Sequence, residues 1–383
     1  MNAPGVPTRK VLYLTGTRAD FGLLQSTLVR IAATPGLSLQ VAVTGMHLSA
    51  EHGETVREVR ASGLDVCAEI PLDMDNRTGE GMALAVSACL RGVSELLSRA
   101  DFDVLLVLGD RGEMLAGAIA ALHLGVPCVH VHGGERSGTV DEPMRHAISK
   151  LATYHFVATD ASRDRLLRMG EDDARIFVTG APGLDGLAAL GDVPRAEALQ
   201  ALGLRSDARF VLALFHPVVQ QAGQAGEQTR AVIEALNRVG LPVVWLDPNA
   251  DAGSREILDV LDGATWPAGS VRVRHLPRPQ FAAALRHCEV LVGNSSAGII
   301  EAATFGTPVV NVGDRQRLRE HDANVADVAC DAARVEEAVR AALGHGRWPW
   351  DNRWGDGHAG ERIAALLAAV PLGPHLLEKI NTY

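Results

Sequence analysis

The chain alternates short apolar runs with longer segments in which apolar residues recur at helical spacing. Val11 to Thr15 is an apolar run that ends in a glycine turn, and Phe21 to Ala33 then carries apolar residues three and four positions apart. This pattern predicts a strand, a loop and a helix. Further strands of the first half are predicted at Leu39 to Thr44, Val104 to Leu108, Cys128 to His132, His155 to Ala158 and Ile176 to Thr179. Continuous apolar strands separated by amphipathic helices are typical of a parallel sheet covered on both faces.

Gly180 to Arg209 interrupts this pattern with several Gly and Pro residues, which predicts a connection between domains. Strands are predicted again at Phe210 to Phe215, Pro242 to Leu246, Val271 to Arg274, Val290 to Gly293 and Val309 to Val312. We therefore expect two doubly wound, Rossmann-like α/β domains: a tail at 1–9, a first domain at 10–190, a second at 191–365, and a C-terminal helix or tail at 366–383 that can return to the first. Such pairs bind ligands in the cleft between them, at the carboxyl ends of the strands.

Composition restricts the partners. The 383 residues carry 36 Lys plus Arg against 46 Asp plus Glu, a net charge of −10, so we expect no general affinity for nucleic acid or for an anionic membrane. The five cysteines are an odd number and lack a C-x-x-C pair, which is typical of a reducing compartment. We see no signal-peptide core and no run near the roughly 20 apolar residues that span a bilayer. These features predict a soluble, cytoplasmic protein.

Polar residues follow the predicted strands directly, where a ligand of a parallel sheet would lie. In the first half these positions include Arg18, Asp20, His47, Asp110, Arg111, His132 and Glu135, and in the second half they include His216, Asn249, Ser295, Ser296 and Arg315. Arg18, Arg111 and Arg315 are either phosphate ligands or members of surface ion pairs. Asp110, Asp141, Glu135, His132 and His216 are candidate acids and bases, although Asp110 could instead pair with Arg111 and Asp141 could cap a helix.

The sequence Gly-Asn-Ser-Ser-Ala-Gly at 293–298 lies between a strand and a helix. Small residues there let backbone N–H groups approach an anion, so the segment is either a diphosphate cradle or, at Ser295, only a helix cap. Glu301 could accept hydrogen bonds from a ribose or be a solvated surface carboxylate. No Walker or G-x-G-x-x-G motif occurs, and the histidines lack metal-ligand spacing. We expect neither a metal nor a cofactor.

Several segments together resemble the hydrolysing UDP-N-acetylglucosamine 2-epimerases, which start sialic and related nonulosonic acid synthesis. They are GTRADFG, TGMHL, GDRGE, HGGERSGTVDEPMRHAISK, FHP, PNADAGS, RHLP and GNSSAGIIEAATFGTPVVNVGDRQ, in order from about residue 10 to 330. The resemblance implies the GT-B architecture, with uridine diphosphate held mainly by the second domain.

By matching motifs, the resemblance places Arg18, Ala19 and Asp20 in a nucleotide-contacting loop and His216, Asn249 and His275 along the cleft. It implies that Ser295 and Ser296 hold the diphosphate, that Glu301 holds the ribose, and that Arg315 approaches the nucleotide. Asp110 and Asp141 match catalytic carboxylates. His132 stands where animal-type members have a catalytic Glu, so either His132 or Glu135 could take that role, or the substitution marks a subgroup with a different sugar.

The function that follows is hydrolysis of UDP-N-acetylglucosamine, or of a 2,4-diacetamido-trideoxy analogue, to UDP and the C2-inverted free sugar through a glycal. A non-hydrolysing 2-epimerase, a GT-B glycosyltransferase and a nucleotide-sugar sensor are the alternatives. The sequence leaves the C4 and C6 substituents, the choice of UDP or GDP, and the role of the tryptophans after Arg347 undetermined. Related enzymes often pair through the first domain, so we expect a homodimer or homotetramer.

Overall fold

A computed structural model describes residues 8–51, 53–76, 78–137, 141–249, 251–373, 376 and 378–383. Within these ranges the chain forms thirteen strands, all of them paired in parallel. The strands are β1 (Arg9–Thr15), β2 (Leu37–Thr44), β3 (Asp65–Ile70), β4 (Val104–Leu108), β5 (Cys128–Val131), β6 (Tyr154–Val157), β7 (Ile176–Val178), β8 (Val211–Leu214), β9 (Val243–Leu246), β10 (Val271–Val273), β11 (Val290–Gly293), β12 (Val309–Val312) and β13 (Val325–Val328).

Helices lie between most consecutive strands of the described ranges. They are α1 (Arg18–Ala33), α2 (Val56–Ala61), α3 (Gly79–Arg99), α4 (Gly112–His123), α5 (Asp141–Leu151), α6 (Asp160–Arg168), α7 (Leu187–Leu190), α8 (Arg195–Ala201), α9 (Ala225–Val239), α10 (Ser254–Asp262), α11 (Arg278–His287), α12 (Ser296–Ile300), α13 (Ala332–His345) and α14 (Ala359–Ala369). Short 3-10 turns are present at Gly45–Leu48, Asp173–Arg175, Pro182–Leu184, Val219–Gln224 and Ala302–Phe305.

The chain divides into two units, each built on one sheet. Unit 1 comprises residues 1–135, 141–185 and 354–383, and unit 2 comprises 136–140 and 186–353. The sheet of unit 1 has the strand order 3-2-1-4-5-6-7, and that of unit 2 has the order 10-9-8-11-12-13. Both are doubly wound, which confirms the predicted fold class.

The sheet of unit 1 is buried on both faces. One face packs α1 and α14 against Val11, Tyr13 and Phe156, and the other packs α3, α4 and α5 against Leu12 and Leu105. Because both faces are covered, the central strand β4 is apolar at every position.

The unit boundaries differ from those we expected at 190/191 and 365/366. The return to unit 1 begins at Trp354, so the whole of α14 belongs to unit 1. Asp185 accepts hydrogen bonds from the first amides of α14, at 2.9 Å from Ala359 N and 2.6 Å from Gly360 N. Arg9 donates to carbonyls at the other end of the helix, at 2.8 Å from Leu367 O. Both ends of α14 are thus capped by residues of unit 1.

Within the described ranges, one helix is long and apolar enough to cross a membrane by length and composition alone. It is α3, and 22% of its most apolar stretch is buried inside the structure. Cys89, Val93 and Leu97 of α3 nevertheless pack into the core of unit 1.

Candidate active site

Asp110 follows β4 in a turn that Gly109 makes possible, because Gly109 adopts a φ of +82°. The carboxylate of Asp110 forms an ion pair with the guanidinium of Arg145 on α5. The side chain of Arg145 is 1% exposed and that of Asp110 is 24% exposed. The partner of Asp110 is therefore Arg145 and not Arg111, whose Nε lies 3.4 Å from Glu113.

The segment after β5 holds a second ionisable pair. His132 has a φ of +65°, one of the two positive values at non-glycine positions in the described chain, and such a conformation costs free energy that the surroundings must offset. Its Nδ1 is hydrogen-bonded to the carboxylate of Glu135, and both side chains are buried. A carboxylate accepts, so Nδ1 carries a proton, and Nε2 is the ring nitrogen that can exchange a proton with a ligand.

Arg145 connects the two pairs. Its Nη2 contacts Asp110, and its Nη1 donates to the backbone carbonyl of Glu135 at 3.2 Å. Asp141 opens the same helix, one turn before Arg145, which places it on the same helical face. The structure thus brings Asp110, His132 and Glu135 together around one guanidinium, with Asp141 on the helix that carries it.

Arg18, Ala19 and Asp20 form the first turn of α1 and not a loop, which corrects the expectation drawn from the resemblance. Asp20 accepts hydrogen bonds from Thr17 N at 2.9 Å and Gly16 N at 3.1 Å, and also from the Thr15 hydroxyl. Burial raises the pKa of Asp20 to about 6, against these stabilising hydrogen bonds.

His47 belongs to the same buried network. Its Nε2 lies 2.9 Å from Thr15 Oγ1 and its Nδ1 lies 2.7 Å from Thr55 Oγ1, and the side chain is fully buried. Asp20 and His47 are therefore placed to support the turn after β1. Arg18, with 23% of its side chain exposed and its Nε 3.3 Å from Glu58, is the group of this turn that can reach a ligand.

In unit 2, Asn294 fixes the segment around His216. Asn294 Oδ1 accepts from His216 N at 2.7 Å, and Asn294 Nδ2 donates to His216 O at 2.8 Å. The amide of Asn249 donates to His216 Nδ1 at 3.2 Å, so the ring proton of neutral His216 resides on Nε2. Burial, assisted by the charge of Arg315, lowers the pKa of His216 to about 3. His216 is therefore a neutral hydrogen-bond donor through Nε2.

Arg315 and the serines gather at the end of β11. Arg315 Nη1 donates to the carbonyl of Asn294 at 3.2 Å. Ser295 is the N-cap of α12, with its hydroxyl 3.4 Å from Ala297 N, so the cap interpretation applies, and a cradle role stays a prediction. Gly293 is required here because any side chain would collide with the carbonyl of Leu214.

Glu301 is buried and is not a solvated surface carboxylate. It is 1% exposed, and Arg278 donates to its Oε1 at 2.6 Å. Burial raises its pKa, although Arg278 opposes this. Its Oε2 has no hydrogen-bond partner among the described residues, and the same holds for Nε2 of half-buried His275. A ribose hydroxyl could therefore donate a hydrogen bond to Glu301 Oε2, a buried acceptor near the end of β11.

Sequence reasoning missed two residues that organise these groups. Arg145 lies one turn after Asp141 in DEPMRH, a spacing that could have marked it as a partner of the acids. Asn294 had no comparable signal, because its partner His216 is 78 residues away in the chain. Among the described residues, no three His, Cys, Asp or Glu side chains form a group that could hold a metal ion.

Four histidines lie in surroundings that disfavour the charged form of the ring. Burial lowers the pKa of His47 to about 4 and those of His130 and His216 to about 3, and it also lowers the pKa of His155. The unfolded chain would protonate each of these rings near pH 6.5. Their contribution to stability is therefore present above pH 6.5 and is lost as the pH falls below it.

We expect the free energy of unfolding, measured by urea denaturation, to fall by at least about 1.4 kcal/mol between pH 6 and pH 5. The raised pKa values of Asp20, Asp185 and Glu301 act in the opposite direction, but a slope from four histidines should exceed them. A His155→Gln variant should show a shallower slope, whereas exposed His123→Gln should not change it. A stability that is flat or that rises on acidification would contradict this account.

A family model described as UDP-N-acetylglucosamine 2-epimerase matches residues 29–368. The chain belongs to this family. A Legionella pneumophila protein named UDP-N,N'-diacetylbacillosamine 2-epimerase (hydrolyzing) is 45% identical over 375 residues, covering 98% of this chain and 100% of that protein. A UDP-N-acetylglucosamine 2-epimerase of Neisseria meningitidis is 33% identical over 369 residues, covering 94% and 95%.

The crystal structure of UDP-GlcNAc 2-epimerase from Neisseria meningitidis bound to UDP-GlcNAc superposes with a TM-score of 0.78 at 17% sequence identity, covering 94% of this chain and 99% of that chain. This confirms the GT-B fold. The predicted family is confirmed as well, and the hydrolysing activity is supported over the non-hydrolysing alternative. This member of the UDP-N-acetylglucosamine 2-epimerase family is a hydrolysing nucleotide-sugar 2-epimerase.

Proposed function

We propose that the substrate is a UDP-linked 2,4-diacetamido-trideoxy sugar, converted to UDP and the free sugar inverted at C2. The observation that carries this choice is the 45% identity to the Legionella diacetylbacillosamine epimerase over the whole chain, against 33% to the Neisseria enzyme named for UDP-N-acetylglucosamine. The presence of His132, where animal-type members have a catalytic Glu, is consistent with a subgroup that acts on a different sugar.

Unit 2 supplies the groups for the nucleoside diphosphate in this proposal. Arg315 neutralises part of the charge that develops on the leaving diphosphate. His216, which is neutral, donates a hydrogen bond to the diphosphate through Nε2, and the hydroxyls and amides at Ser295 and Ser296 add further donors. Because α12 has only five residues, the donors themselves matter more than its helix dipole. Glu301 Oε2 accepts from a ribose hydroxyl.

Unit 1 supplies the acid and the base, and Arg18 adds a further cation for the phosphates. Departure of UDP breaks the C1–O bond first and leaves an oxocarbenium-like sugar, whose C2 proton has become strongly acidic. A carboxylate, Asp110 by preference and otherwise Asp141, removes this proton to give the glycal. Water then adds at C1 while an acid protonates C2 from the opposite face, and His132 held by Glu135 is our candidate for that acid. No metal or other cofactor enters these steps.

A 1H NMR time course in D2O tests the function. With UDP-diacetylbacillosamine we expect UDP and a free sugar without any acceptor, and one deuterium at C2 of the product because solvent supplies the new C2 hydrogen. UDP-N-acetylglucosamine and GDP-linked analogues serve as the matched comparison. Sugar release that requires an acceptor, or a product that retains its C2 proton, would refute the proposal.

We also propose a soluble, cytoplasmic homodimer or homotetramer. Helix α3 supports this, because Leu84 is 60% exposed on a helix of apolar composition, and an apolar helical face is commonly covered by a second copy. Sedimentation equilibrium would test the association, and Leu84→Glu should weaken it.

A further inference from the structure

We infer that Arg145 is the positioning residue of this active site, which keeps Asp110 in the charged form between turnovers. The inference rests on the proposed function of unit 1 and extends it to a residue that neither the motifs nor the comparisons assign.

The burial of Arg145 is the first observation. A guanidinium that is 1% exposed has lost nearly all of its hydration, which is costly unless charged or polar groups compensate. Two of the groups that compensate here are Asp110 and the carbonyl of Glu135, and each belongs to a different segment carrying a candidate catalytic group. An arginine used only for packing would not need to join these two segments.

The second observation is the surroundings of Asp110. The titratable groups at this turn are Arg111, which lies beside Glu113, His130, and the pair formed by His132 and Glu135. His130 donates through Nε2 to Gly109 O at 2.7 Å, and burial lowers its pKa to about 3, so it brings no charge near neutrality. Arg145 is thus the buried cation in direct contact with the Asp110 carboxylate.

The pairing has a mechanistic consequence. A carboxylate held by a cation is a weak base, but a weak base suffices once UDP has left and the C2–H bond lies next to a cationic centre. The protonated Asp110 then loses its proton readily because Arg145 favours the anion. Arg145 therefore returns Asp110 to its active form after each turnover.

The test compares pH profiles of Arg145→Gln and wild type. We expect the acidic limb of kcat to move up by at least about one pH unit, so that kcat falls about tenfold below the limb, stays near its plateau at alkaline pH, and KM remains within about threefold of wild type. Arg145→Lys keeps a cation and should restore part of the shift. Arg163→Gln, which removes an exposed arginine paired with Asp173, should change neither parameter.

A uniform loss at every pH, with the limb unmoved, would mean that Arg145 is merely structural and would overturn the inference. If Arg145→Gln does not fold, Arg145→Lys must still shift the limb upward, and an unshifted limb in that variant overturns it equally. A 13C NMR titration of labelled aspartate, assigned with Asp110→Asn, needs no turnover. It should show Asp110 ionised from pH 5 to 9 in the wild type and titrating within that range in the variant. It therefore tests Arg145 even if the proposed function fails.

Discussion

Asp110→Asn should lower kcat by about a hundredfold to ten-thousandfold, the usual contribution of a positioned general base, with KM nearly unchanged. The amide keeps the size of the side chain and can still contact Arg145, but it cannot take the C2 proton. Release of UDP in a coupled assay and appearance of the free sugar by NMR should fall together.

The matched control is Asp101→Asn, an exposed aspartate before the same strand, β4. It should leave kcat and KM unchanged. Activity of Asp110→Asn within threefold of wild type would remove Asp110 from the chemistry. A selective rise in KM would make it a substrate ligand instead. A third variant, Asp141→Asn, then decides which of the two carboxylates is the base.

His132→Gln and Glu135→Gln should each lower kcat by about a hundredfold or more, and the double variant should lose little beyond the worse single variant. The reason is that the two side chains share one hydrogen bond, so that removing either partner disables the pair. Residues that act as a unit are strongly non-additive in this way.

Exposed His123→Gln is the control for a general effect of removing a histidine. Rates that multiply in the double variant would show that His132 and Glu135 act independently. If Glu135→Gln lowers kcat and His132→Gln does not, then Glu135 is the acid. Both outcomes resolve the question that the departure from the animal-type motif raises.

Hydrophobic patterning predicted the buried strands of both units, because strands covered on both faces must be apolar throughout. It missed β3 and β13, two of the four edge strands, in which charged residues interrupt the apolar run, as in Val-Ala-Asp-Val at β13. Edge strands gain less from burial, so their sequences carry a weaker signal. The boundary of unit 1 was misplaced for a related reason, since the apolar face of α14 does not specify which sheet it covers.

The candidate site was predicted in outline, because the carboxyl ends of parallel strands meet at one edge of a sheet. The pairings within it were not predictable. Arg145 could have paired with any acid near it, and only the fold brings α5 to the end of β4. Asp20 and His47 were singled out as ligands because polarity at a strand end is visible in sequence, whereas their burial is not.

Unit 1 is assembled from segments at both ends of the chain. In its last residues, Lys379 donates to carbonyls at and just after the end of α5, at 2.7 Å from Ser149 O and 2.8 Å from Ala152 O, and pairs with buried Glu171. During synthesis the ribosome therefore releases nearly all of unit 2 before the strand-bearing part of unit 1 receives its last helix. The nascent first half must wait, with the part of one sheet face beside α1 still lacking α14, while the second half is already free to fold.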